Sequence, residues 1–380
     1  MRPVTIPPNP TQYSEVYQLG VQIYQGHDPT QRARWRTKKK KHLIKKLTEA
    51  IDDWITNGAD LTGQKTPKFS NDAKKEEYEE LIGKLDSGGS DWGDARRALI
   101  GRIGQYCAYC DSPIFSHLHI EHILPKSTFP ENIFAWPNFL LACASCNSAK
   151  SNKPNQGTIP GAPKSTSDAS EYITNVNGIN YLWPSMDWTR LGYRRVFPFR
   201  YVLAWMEPYR NRLGFADEIG RSDAEDLTNR FLTGTLPQER GLYYDTASGG
   251  KSYFGVQVKA VSAPFVPSSA SEAVIEAASL NNILDADASA QSVDRRILNR
   301  TTAWFRASIL RRTLNTAFRD DDNALRTGVI NIARIAIRNT GFWPIWLQVL
   351  GNLRFGGETA QEYLQNIFPG TTSITWQLPI

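Results

Sequence analysis

The chain has 380 residues, 41% of them apolar, and a formal net charge of +6. With a pI near 9.0, that is enough apolar mass for two or three domains; it excludes global disorder and favours a polyanionic partner. The first residues, Met1-Arg-Pro-Val-Thr-Ile-Pro-Pro, lack the apolar core of a signal peptide. The stretch nearest a membrane span, residues 329–350, is interrupted by Arg334, Arg338, Gly341 and Pro344, so a cytoplasmic protein with no membrane partner is expected.

Residues 1–90 read as a basic helical N-terminal region. After a Pro-rich and polar start, 31–57 has the pattern of a helix, with Leu43, Ile44, Leu47, Ile51 and Trp54 spaced three and four apart. Its first half carries Arg32, Arg34, Arg36, Lys38, Lys39, Lys40 and Lys41, continuing to Lys45 and Lys46. This cluster could neutralise a DNA backbone, or it is a solvated face, or it meets an acidic partner. A second, exposed helix is predicted over 72–85, followed by a break at Asp86-Ser-Gly-Gly-Ser. Asp91 or Asp94 caps a third helix running to about Gln105.

Residues 91–160 hold the motif region. All four cysteines lie here, as Cys107-Ala-Tyr-Cys110 and Cys143-Ala-Ser-Cys146. A reducing cytosol argues against disulfides, and two C-x-x-C pairs have the spacing of a metal knuckle. Four thiolates close a tetrahedral zinc, so Cys107, Cys110, Cys143 and Cys146 are expected to hold a structural Zn2+. His119-x-Glu121 followed by Cys143-x-x-Cys146 also echoes the zinc nucleobase deaminase signature. Ala142 stands where that signature has proline, Cys107 and Cys110 would have no role, and Pro125 sits badly with a long helix starting near Glu121.

Residues 161–380 read as an α+β region for regulation or partner binding. The linker 151–170 leads into mixed structure over 171–262, including a hairpin in LYYDTASGGKSYFGVQV with Ser248-Gly249-Gly250 at its turn. From about 269 the pattern is helical, including 290–319 and 321–339. Arg295, Arg296, Arg300, Arg306, Arg311 and Arg312 form a second basic set on a helix whose Val293, Ile297, Trp304 and Ile309 pack inward. Trp343-Pro-Ile-Trp346 is either core or a protein contact.

The segment CAYCDSPIFSHLHIEHILPKSTFPENIFAWPNFLLACASCNSAKSNK resembles the HNH endonuclease module, a ββα-metal fold with zinc knuckles flanking the catalytic hairpin. The resemblance rests on Glu121-His122, Asn138, Asn147 and Lys150 with both cysteine pairs. Asn147 stands where the third letter of HNH has histidine, an HNN variant. CAYC, IEHILPKS and WPNFLLACASCN are similar to the HNH nucleases of Septu- and retron-associated anti-phage systems, which commonly accompany an ATPase. The overall expectation is an α+β protein with a zinc-stapled ββα-metal module between a basic helical region and a mixed, mainly helical one.

The resemblance implies an endonuclease acting on DNA. His122 would take the proton of the attacking water. Glu121 and Asn147 would supply oxygen ligands to a catalytic Mg2+ or Mn2+. Asn138 would orient the loop through side-chain to backbone bonds. Lys126 and Lys150 would face phosphate, or Lys150 is a solvated surface lysine. His119 is an extra metal ligand, an orienting group for Glu121, or structural. The rival from another class is a non-catalytic zinc-stapled module that binds nucleic acid.

Overall fold

The structure is a computed structural model that describes Met1 and residues 91–125, 136–154, 174–176, 179–184, 197–209, 212–239, 241–262, 268–281, 283–284, 295–317, 323–351, 353–355 and 358–368. The helices predicted over 31–57 and 72–85, the basic residues from Arg32 to Lys46, and Lys126 lie outside these residues.

Helix α1 (Asp91–Ile103) matches the third predicted helix and buries Leu99 and Ile103. Strands β1 (His119–His122) and β2 (Phe139–Ala142) pair antiparallel, and α2 (Ala144–Lys150) follows at once. A second small pair, β3 (Thr174–Val176) and β4 (Ile179–Tyr181), leads to a larger sheet.

That sheet is antiparallel and has six strands. They are β5 (Phe199–Tyr209), β6 (Arg212–Glu218), β7 (Gln238–Glu239), β8 (Leu242–Asp245), β9 (Ser252–Ala260) and β10 (Ile283–Leu284), in the order β10-β6-β5-β9-β8-β7. The predicted hairpin is β8–β9, with Asp245 opposite Ser252. Helix α3 (Arg221–Leu232), which the sequence reading had not separated from the strands, follows β6. The remaining helices among the described residues are α4 (Ser268–Ala277), α5 (Arg296–Ala317), α6 (Asn323–Thr340), α7 (Trp343–Leu350) and α8 (Ala360–Ile367). The short pair β11 (Arg354–Phe355) and β12 (Glu358–Thr359) precedes α8.

Strand β9 outruns its partner β8, whose pairing stops at Phe254. Backbone groups beyond that point still need partners. Side chains supply them: Val256 N–H donates to Thr301 Oγ1 at 2.9 Å, and its carbonyl accepts from Arg300 Nε at 2.7 Å. Asn281 serves Val258 in the same double fashion, at 2.9 and 2.7 Å. Helix α5 can come this near because residue 255 is glycine; a Cβ there would lie 2.5 Å from Ile297 Cγ2. Arg300 of the second basic set is therefore a buried structural donor. Arg306, Arg311 and Arg312 bond to Thr340 Oγ1, Val349 O and Asn229 Oδ1.

Trp343, Ile345, Trp346 and Leu347 are buried, which resolves that stretch as core. The apolar core runs continuously from Leu99 through the cysteines and the sheet to Phe368. The expected boundary near residue 160 falls in a segment outside the described residues.

The C-terminal end of α6 seats the first cysteine pair. Phe342 N–H donates to Asp111 O at 2.9 Å, and Tyr106 Oη donates to Arg338 O at 3.0 Å. Gly341 has φ +72°, and a Cβ there would meet Asp111 O at 2.6 Å and Pro113 Cδ at 2.7 Å. Gly341→Ala is expected to lower stability by about 1–3 kcal/mol. Gly328→Ala, in the same helix with nothing within 4 Å, is expected to raise it by about 0.5–1 kcal/mol. Urea midpoints that move together, or not at all, would refute this account of the contact.

Candidate active site and zinc centre

The four sulfurs converge although the sequence between the pairs is long. In the first pair, Asp111 N–H donates to Cys107 O at 2.8 Å and Cys107 N–H to Ser112 O at 2.9 Å, with Asp111 at φ 63°. This tight turn points both thiols one way. In the second pair Cys143 caps α2, its Sγ accepting from Cys146 N–H at 3.4 Å. Ala108 N–H donates to Leu141 O at 2.8 Å and ties the first turn to β2.

All four Sγ atoms lie within 4.8 Å of one another, and Cys110 and Cys143 are 3.8 Å apart. A tetrahedron with Zn–S bonds of about 2.3 Å has edges of about 3.8 Å, so the donor set fits zinc. Hydrogen bonds from the other three sulfurs hold the Cys110 thiol well below its usual range, whereas burial pushes those of Cys107 and Cys146 well up. Buried sulfurs that cannot share protons comfortably suit a dication. The cluster uses both cysteines that a deaminase would pair with His119, and none of the described histidines joins it.

Beside it, β1 and β2 are in register from His119 opposite Ala142 to His122 opposite Phe139. Asn138 closes the hairpin loop as the sequence suggests. Its Oδ1 accepts from Leu124 N–H at 2.7 Å, and its Nδ2 donates to Leu124 O at 3.0 Å. The His122 ring meets the edge of Phe139 with centroids 5.2 Å apart.

A cleft of about 350 Å³ opens here, and Arg96, His119, Glu121, His122, Asn147 and Asn152 are on its walls. Strand alternation alone would set His122 apart from His119 and Glu121; the strand ends at His122, and all three border the cleft. Asn147 comes from the middle of α2, directly after Cys146 of the four-sulfur cluster. Arg96 is exposed on α1. Sequence reasoning missed it, since an arginine in a short helix carries no spacing signal.

Lys150 needs correcting. It faces neither phosphate nor solvent. Its side chain is fully buried, with Nζ 2.5 Å from Glu121 Oε1 and donating to His122 O at 2.8 Å. The Trp183 ring lies 6.0 Å from Nζ. Burial pushes the Lys150 ammonium below its ordinary range, while Glu121 pulls it back up. The lysine thus fixes both the carboxylate and the backbone that carries His122.

Residues 107–153 match the HNH endonuclease family. The HNH segment accordingly holds both cysteine pairs, the β1–β2 hairpin and α2. Over 71 residues the chain is 34% identical to the Septu protein PtuB of Bacillus thuringiensis, a match that covers 17% of this chain and 28% of that protein. The chain therefore spans less than a third of that relative's length. No solved structure matches the chain. Outside the HNH segment, no described helix is long and apolar enough to cross a membrane.

Proposed function

We propose that the chain is a metal-dependent endonuclease that hydrolyses DNA phosphodiester bonds. The observation that carries this reading is the meeting of His122, Glu121 and Asn147 of the HNH segment with the exposed Arg96 of α1 in one cleft. His122 accepts the proton of the attacking water, since imidazole titrates near neutrality. Phe139 and the Lys150 bond to its carbonyl restrict where that ring can sit. Glu121, Asn147 and, on the same wall, His119 offer the donors for a cation. The carboxylate and amide oxygens suit Mg2+ or Mn2+. Such an ion, when bound, polarises the scissile phosphate and neutralises the leaving oxygen. Arg96 is positioned to meet a phosphate entering the cleft.

The role is anti-phage defence, under the control of a partner ATPase or of a ligand sensed by residues 161–380. The family resemblance and the Septu relative support this. An uncontrolled nuclease would injure its host. A constitutively active chain that co-purifies with no ATPase and responds to no ligand would sink the regulatory part.

The test is plasmid cleavage with Mg2+ or Mn2+. His122→Ala is expected to slow it by about 10²–10⁴-fold, the usual contribution of a positioned base. Cleavage at the wild-type rate by that variant would defeat the mechanism. Salt-sensitive DNA binding without cleavage, under every metal and partner tried, would favour the non-catalytic module instead.

A further inference from the structure

Helix α5 opens on a buried charge. Arg296 is 7% exposed, donates from Nη1 to Ala278 O at 2.7 Å and reaches Cys146 Sγ at 3.4 Å. Ala278 lies just past the end of α4, where the helix dipole favours a cation. A buried guanidinium costs several kcal/mol to desolvate unless a compensating charge lies beside it. Four thiolates around one zinc dication carry a net double negative charge, and Cys146 is itself fully buried.

We infer that Arg296 is a positioning residue of the zinc centre. Its guanidinium donates to the Cys146 sulfur, offsets the charge of the tetrathiolate and slows loss of the metal. Both bonds leave one nitrogen, Nη1, whose two N–H groups are held in the guanidinium plane. The contact also joins α5, 150 residues later in the chain, to the helix whose next residue is Asn147. The active cleft is thus referenced to the C-terminal helices through the zinc cluster.

The inference rests on the zinc assignment and not on nuclease activity. The experiment uses the full chain, loaded with zinc. Metal release to an excess chelator is followed with a chromophoric zinc indicator for wild type, Arg296→Lys, Arg296→Met and Arg300→Met. Outer partners of metal ligands typically contribute about 10–100-fold in affinity. Arg296→Met is expected to release zinc that much faster, with Arg296→Lys in between. Arg300→Met removes a buried guanidinium one turn along that bonds to Val256 O and Leu280 O. It should loosen the fold yet leave zinc release near wild type. In cobalt-substituted protein, Arg296→Lys should shift the sulfur-to-metal charge-transfer band, and Arg300→Met should not.

Should Arg296→Met fail to fold, the contrast between Arg296→Lys and Arg300→Met carries the test. Equal release rates and unshifted bands in both overturn the role of Arg296. A wild-type protein that takes up no zinc overturns the zinc assignment itself.

Discussion

Lys150→Met is expected to lower stability by about 3–5 kcal/mol, because it strands a carboxylate rather than merely deleting a contact. Glu121 is 5% exposed, and Lys150 Nζ sits 2.5 Å from its Oε1. Set against a typical total of about 5–15 kcal/mol, the loss is severe. Urea or thermal unfolding reads it directly. The double variant Lys150→Met/Glu121→Gln should regain much of the stability, since a neutral pair does not need the salt bridge. Nuclease activity should not return with it, because the carboxylate offered to the cation is gone. Wild-type stability in the single variant would mean that Glu121 finds another partner without cost.

Removal of zinc is the other large effect. Structural zinc sites in small domains contribute about 10–16 kcal/mol of apparent free energy near neutral pH, as much as a domain's whole stability. A strong chelator is therefore expected to unfold the HNH segment and release one zinc per chain. The damage should spread, because Asp111 and Tyr106 are bonded to Phe342 and Arg338. Amide exchange should quicken at the end of α6 as well as around the cysteines. Acid should act in the same direction: thiols must lose their protons to bind metal, and burial raises those of Cys107 and Cys146. Stability is thus lost as pH falls. Chelation that removes zinc while the unfolding curve stays in place would contradict the structural role.

What the sequence made legible is local. The cysteine spacing announces the four-sulfur cluster, and α1, the β8–β9 hairpin, α5 and α6 follow from periodicity and turn chemistry. The sequence reading gave Asn138 a loop-orienting role through backbone bonds, and its double bond to Leu124, 14 residues earlier, agrees with that. Lys150 was not legible in this way. At a helix end a lysine ordinarily faces water, and its burial here depends on Trp183, which arrives after a long stretch of chain. The α5 arginines misled in the same way. Arg296 and Arg300 read only as members of a second basic set, yet each answers a group supplied by a distant element: a cysteine sulfur and an unpaired strand edge. Helix α3 escaped because few of its residues are apolar, Ala224, Leu227 and Phe231 among them, and it sits among strands.

Helix α2 is seven residues long, yet both ends and its middle are committed: Cys143 before it, Asn147 within it, Lys150 at its close. Each residue of an α-helix turns the chain by about 100° and advances it by about 1.5 Å. The four-sulfur cluster, the cleft and the buried ammonium are therefore phased on one rotor. Substitution at the exposed Ser148 leaves that phasing alone. A single inserted or deleted residue would swing Lys150 off Glu121 while the cysteines held their ground. In this element the open positions tolerate a change of letter, but none tolerates a change in number.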